Sequence, residues 1–279
     1  MPNRVSFFYL SKGGRSMRLG ISTACFYPQP VEQTIDRIAA LEFKLIEIFF
    51  NTESEYDPTF LKKLRRAAER NEIEILSIHP YTSLMEGMLL FSNYERRTQD
   101  GFNQYRKYMH AAAFLGAKYM TFHGERFMSQ DTVFDHMERT YEIYHQLCRM
   151  AKEEGITLTQ ENVAWCKSRE PEYLRLLAEH IPELRYTLDI KQANRSGQHW
   201  AAYLDIMKSR LRNIHINDYD PAHSCLLPGE GSLNYEVFLD ALQQYGYDRQ
   251  MLIEVYSSNF SSDNQIQQAK QFLMKQISC

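Results

Sequence analysis

Eight times along this chain a short apolar run breaks at a turn and gives way to a stretch of helical periodicity. The runs fall at residues 19–23, 45–50, 75–79, 117–123, 156–161, 184–189, 213–217 and 251–256. The helical stretches fall at 31–41, 58–70, 98–115, 131–154, 170–179, 197–210, 235–245 and 264–276, with Gly155 as one helix stop. A strand, a crossover helix and a second strand bring the chain back in the same direction, so neighbouring strands run parallel. Eight such units predict an α/β fold, the (β/α)8 TIM barrel: a parallel eight-stranded barrel inside a ring of helices. The 279 residues suit a single barrel of typically about 250. A doubly wound open sheet is the alternative, but no G-x-G-x-x-G follows the first run. With no Pro/Gly/Ser-rich linker, residues 17–279 read as one domain. Residues 1–16 read as a disordered leader, with Met17 an alternative start, because the run Phe7-Phe8-Tyr9-Leu10 is too short for a signal-peptide core.

Alternation within the runs assigns the faces. Ser77 and His79, Thr121 and His123, Thr157, Thr159 and Glu161, Thr187 and Asp189, and Asn213 and His215 share one side. Leu76, Ile78, Met120, Phe122, Ile156, Leu158, Leu188, Ile214, Ile253 and Val255 take the other. The polar set is predicted to point into the barrel and the apolar set toward the helices. Active sites in such barrels form where inward residues reach the C-terminal strand ends. Six strands end in a potential ligand: His79, His123, Glu161, Asp189, His215 and Glu254. Singly, each has an ordinary explanation. A strand-end histidine is more often a hydrogen-bonded core group, Asp189 can cap the next segment, and Glu254 can pair with an arginine. Barrel closure weakens those explanations by bringing all six to one rim, where buried carboxylates require cations. Three carboxylates and an imidazole make a hard, oxygen-rich set. It suits one divalent metal ion, Mn²⁺ first, with Mg²⁺, Co²⁺ or Zn²⁺ as alternatives. His79 and His123 are then groups behind the ligands, substrate contacts, or ligands of an additional zinc.

Charge narrows the partners. The 32 basic and 35 acidic residues leave a net charge of −3, which gives no nucleic-acid footprint. No apolar run of about 18 residues exists to span a membrane. The five cysteines, Cys25, Cys148, Cys166, Cys225 and Cys279, are odd in number and widely spaced. That pattern predicts free thiols in a reducing cytoplasm.

Several motifs then occur in a telling order: Glu161 in Thr-Gln-Glu-Asn, Asp189 in Thr-Leu-Asp-Ile-Lys-Gln, and His215 in His-Ile-Asn-Asp. The turn Pro228-Gly229-Glu230-Gly231 follows, and then Glu254 in Leu-Ile-Glu-Val. From Met17 onward the chain resembles the xylose isomerase-like TIM barrel superfamily, specifically its sugar phosphate isomerase/epimerase group. That group includes ketose 3-epimerases, inosose dehydratase-like proteins and, more distantly, apurinic endonucleases. The resemblance implies that Glu161, Asp189, His215 and Glu254 hold the metal. It also implies an isomerase or epimerase acting on a sugar, sugar phosphate or cyclitol by proton transfer through a metal-stabilised enediolate. Glu161 and Glu254, on strands five and eight, would face each other as the catalytic pair. His79, His123, Gln192, Glu47 and Trp165 are the expected substrate contacts, and the apolar stretch Met85 to Phe91 an expected lid. The partner is a small sugar, with a homo-oligomer as the assembly. The family often has histidine three residues after the strand-six aspartate; Gln192 stands there, and no arginine follows His-Ile-Asn-Asp in the manner of some ketose epimerases. An apurinic-endonuclease-type phosphodiesterase and an inosose-type dehydratase are the alternatives, and a catalytically silent sugar-binding barrel is a third.

Overall fold

The computed structural model describes residues 17–127 and 132–278. The expected leader, residues 1–16, lies outside them. The strands are β1 (Arg18–Ser22), β2 (Leu45–Phe49), β3 (Glu74–His79), β4 (Tyr119–Phe122), β5 (Thr157–Glu161), β6 (Arg185–Asp189), β7 (Leu211–Ile216) and β8 (Gln250–Ile253). They close into one barrel in sequence order, and β8 returns to pair in parallel with β1. The helices are α1 (Val31–Ala40), α2 (Pro58–Arg70), α3 (Ser83–Glu86), α4 (Glu95–Leu115), α5 (Met137–Glu153), α6 (Pro171–His180), α7 (Ile190–Arg195), α8 (Trp200–Met207), α9 (Tyr235–Gln244) and α10 (Asp263–Ser278). The predicted TIM barrel is the observed fold.

Local chemistry sets the helix ends. Pro58 and Pro171 open α2 and α6, where a missing N–H costs nothing and the fixed φ is already helical. The helix expected from residue 131 begins only at Met137, because His136 holds a left-handed φ of 59° and stops propagation. The helical stretch expected at 197–210 shortens to α8 and is preceded by the unexpected α7. The cause is Asp189, whose carboxylate accepts a hydrogen bond from the Gln192 N–H at 2.8 Å and starts a helix directly at the strand end.

The apolar outer face of the barrel packs against the helices in one core that includes Ile78, Met120, Phe122, Leu158, Leu188, Ile214, Ile253 and Val255. The interior is layered. Near the N-terminal ends of the strands Leu45, Leu76, Tyr119 and Leu252 form a separate apolar plug. Leu76 was expected to face the helices; a register shift between β2 and β3 at Ile46/Glu47 breaks the alternation and turns it inward. Gly20 lets β1 pass this plug, since a Cβ there would lie 2.5 Å from both Leu252 Cδ2 and Leu45 O. Above the plug sits a polar layer of Glu47, Ser77, Thr121, Thr159, Thr187 and Asn213, all fully buried. The Ser77 and Thr121 hydroxyls each donate to Glu47 Oε2 at 2.7 Å. The third layer, at the C-terminal mouth, carries the six strand-end residues.

Among the described residues no helix is long and apolar enough to cross a membrane. Cys25, Cys148, Cys166 and Cys225 are buried free thiols.

Candidate metal centre

Glu161 and Asp189 are the last residues of β5 and β6, His215 is the penultimate residue of β7, and Glu254 directly follows β8. Each offers a buried ligand atom, and the four atoms lie within 4.8 Å of one another. His215 Nδ1 stands at the centre, 2.7 Å from Glu254 Oε2, 3.0 Å from Glu161 Oε1 and 3.8 Å from Asp189 Oδ2. Glu161 Oε2, Asp189 Oδ2 and Glu254 Oε2 are buried without a properly oriented hydrogen-bond donor. The orphaned oxygens of Asp189 and Glu254 face His215 Nδ1 and that of Glu161 faces His123 and His79, and three such carboxylates gathered around an imidazole fit a divalent cation. Behind the ring His215 Nε2 lies 3.2 Å from Glu47 Oε1, close but without hydrogen-bond geometry, and Nδ1 is turned toward the cluster.

A second group shares Glu161. Its Oε2 lies 3.0 Å from His123 Nε2 and 3.6 Å from His79 Nε2, and the three ligand atoms meet the same 4.8 Å limit. His79 Nδ1–H donates to the Pro80 carbonyl at 3.1 Å, and its ring meets His123 edge-on at 4.4 Å. Trp165 closes this side, edge-on to His123 at 6.0 Å.

Burial and charge oppose each other throughout. Burial alone would raise Glu254, but His215 and Lys191 outweigh it and hold its carboxyl well below the usual range. Burial pushes Asp189 up to about 6, against the pull of Lys191. Burial disfavours the His215 cation, yet Glu254 and Glu47 raise it far above an ordinary histidine. His79 is likewise raised to about 9, against burial, by Glu161 and Glu47. The mouth is thus a dense set of mutually compensating acidic and basic groups.

The other expected contacts have definite places. Glu47 lies fully buried in the middle layer beneath His215, bonded to Ser77 and Thr121. Gln192 is buried, and its amide oxygen accepts the Ala164 N–H at 3.2 Å, tying α7 to the loop after β5. Two residues passed over in the sequence matter here. The Asn162 amide accepts the Asp189 N–H at 2.8 Å and donates to the Asp189 carbonyl at 2.9 Å, clamping the end of β6 to that of β5. Its only signal was an amide directly after a strand-end glutamate. Lys191 places its ammonium against the cluster, and its signal was a lysine two positions past the aspartate. Asp218 organises the turn that follows β7, accepting from Gly229 N at 3.0 Å and Leu233 N at 2.9 Å.

The stretch after β3 is anchored at one end and open at the other. Leu84 and Met88 are 66% and 57% exposed, whereas Leu90 is fully buried and Glu86 nearly so. The Tyr105 hydroxyl donates to Glu86 Oε1. Burial pushes the Glu86 carboxyl up to about 8, with Tyr105 pulling the other way. The folded state therefore keeps a proton that an unperturbed glutamate releases near 4.5. This contribution to stability is complete below that value and is lost as pH rises through about 8. Glu86→Gln, which keeps the neutral shape, is expected to melt about 2–4 °C above wild type near pH 9 and to lose that advantage near pH 5. Thermal melts at both values check it.

A parallel barrel with three carboxylates and an imidazole gathered at its C-terminal mouth defines a TIM-barrel protein with a buried site fit for a divalent cation. The chain belongs to the xylose isomerase-like TIM barrel family, whose profile matches residues 35–276. It is 25% identical over 256 residues to an uncharacterized protein of Methanocaldococcus jannaschii, covering 88% of this chain and 85% of that one. Among solved structures it resembles a D-tagatose 3-epimerase-like protein (TM-score 0.78, 20% identity, 93% of this chain and 97% of the other). It also resembles D-psicose 3-epimerase of Clostridium cellulolyticum, solved with D-tagatose (TM-score 0.76, 17% identity, 94% and 100%). A third is IOLI protein with a bound zinc atom (TM-score 0.77, 15% identity, 94% and 98%). At these identities the structural likeness speaks to fold.

Proposed function

We propose that the protein is a divalent-metal-dependent isomerase or epimerase acting on a small polyhydroxylated carbonyl compound: a sugar, sugar phosphate or cyclitol. The observation that carries this reading is the convergence of Glu161, Asp189, His215 and Glu254 with three orphaned carboxylate oxygens at a barrel mouth. Glu161, Asp189, His215 and Glu254 would hold the cation, which would supply Lewis acidity to a substrate carbonyl and so make the neighbouring C–H more acidic. Glu161 and Glu254 approach the centre from β5 and β8, with His215 Nδ1 between them. One carboxylate removes the proton and the other returns it on the opposite face, which inverts that carbon. His123, His79 and Trp165 line the remaining side, where hydroxyl groups and the apolar face of a sugar would rest. Glu47 serves by standing behind the His215 ring, and Gln192 by holding the loop after β5.

The second group, His79, His123 and Glu161, favours one other reading, a phosphodiesterase of the apurinic-endonuclease type with more than one zinc. The net charge of −3 weighs against a nucleic-acid groove. Elemental analysis of the purified protein separates the two: about one Mn or Mg per chain is expected, and two or three Zn would favour the phosphodiesterase.

A further inference from the structure

A cation already sits inside the candidate metal centre. Lys191 lies on the first turn of α7 and is only 4% exposed. Its Nζ is 3.3 Å from Asp189 Oδ2 and 3.6 Å from Glu254 Oε2, two of the three orphaned oxygens that a metal would take. On its other side the ammonium faces the Tyr256 ring, 5.1 Å from the centroid. An ammonium has three donors and no acceptor, so these carboxylates and the ring face are its natural partners.

We propose that Lys191 is a positioning residue that holds Asp189 and Glu254 in ligand geometry and competes with the metal for them. This rests on the metal-dependent reading above. Four buried carboxylates, counting Glu47, crowd a site in which the Lys191 ammonium stands against Asp189 and Glu254. Without Lys191 the oxygens of Asp189 and Glu254 repel each other and the metal-free site loses its shape. With it, an arriving dication meets a like charge a few ångströms away, so the bare ligand set would bind metal more tightly than the native one. The side chain is suited to yielding. Its stem is flexible, a carboxylate contact at 3.3–3.6 Å is loose, and Tyr256, at 40% exposure, offers an aromatic face to retreat onto. Competitor and ligand are coupled through the backbone, because Asp189 caps the same short helix that carries Lys191.

The test compares metal-free wild type with Lys191→Met, which keeps length without charge, and Lys191→Arg, which keeps charge. Mn²⁺ affinity is read from the free-ion EPR signal at neutral pH, beside thermal melts with and without Mn²⁺. Lys191→Met is expected to bind Mn²⁺ at least about 10-fold more tightly. Its metal-free form should melt lower, and saturating Mn²⁺ should raise its Tm by more than in wild type. Lys191→Arg should stay near wild type in all three. A purely structural lysine would instead loosen metal binding when removed. Unchanged or weaker Mn²⁺ affinity in a folded Lys191→Met overturns the proposal, as does an arginine variant that behaves like the methionine one. Should metal-free Lys191→Met not fold, Lys191→Gln, neutral but able to bridge both carboxylates, carries the same expectation and the same refutation. Wild-type protein that takes up no Mn²⁺ overturns the metal reading itself, and this inference with it.

Discussion

Glu161→Gln and Glu254→Gln are each expected to lower turnover of an active sugar by about 10²–10⁴-fold, the usual contribution of a positioned acid or base. Both carboxylates stand within 3.0 Å of the same imidazole nitrogen and come from strands on different sides of the mouth. A carboxyl proton equilibrates with solvent between turnovers, so wild-type conversion in D₂O should place deuterium at the single carbon next to the carbonyl. A hydride shift would carry the original hydrogen across and leave that carbon unlabelled. One variant should keep wash-out of the substrate label without forming product, since the surviving glutamate still deprotonates its own face. Because both residues are also proposed ligands, metal content is measured beside each rate, and the comparison is made at saturating metal. Screening ketoses, their phosphates and inososes by NMR in D₂O gives the readout. Conversion without deuterium rules the two-glutamate mechanism out.

His215→Ala and Asp189→Asn are expected to lower metal content from about one ion per chain to a small fraction while the circular dichroism spectrum stays native. Changing a group behind a ligand typically costs 10–100-fold in metal affinity, and removing the ligand itself should cost more. The barrel should survive because the groups around these residues are independently fixed. Asn162 grips the Asp189 backbone on both its N–H and its carbonyl, and the neighbouring Ile214 and Ile216 remain fully buried on the outer face. Full metal retention in both variants would refute the ligand assignment.

The strand order, most of the inward parity and the gathering of Glu161, Asp189, His215 and Glu254 at the mouth were legible because each rests on a period of two or on a residue type at a strand end. Leu76 was not, since a register shift between two strands is a property of the pair and leaves no mark in either alone. Glu47 was legible as inward but not in depth; alternation gives the face and says nothing about the layer. The start of α5 depended on the left-handed backbone of His136, which histidine adopts too rarely to predict. Asn162 and Lys191 were hidden for a different reason. Asn162 gains its role only when β6 brings Asp189 beside it, and Lys191 only when the end of β8 brings Glu254 and Tyr256.

The closing pair of the barrel has a consequence for how the protein assembles. Arg18 pairs with Gln250 and Ile21 with Ile253, while the other edge of the last strand pairs with β7. Glu254 follows that strand by one residue, so the candidate metal centre lies at the seam where the most sequence-distant contact in the sheet closes the ring. Late, long-range closure of this kind slows folding. A ligand that recognises only the closed ring cannot speed the steps before it. Bound metal should then act on the reverse reaction, leaving the folding rate nearly untouched while slowing the opening of the ring.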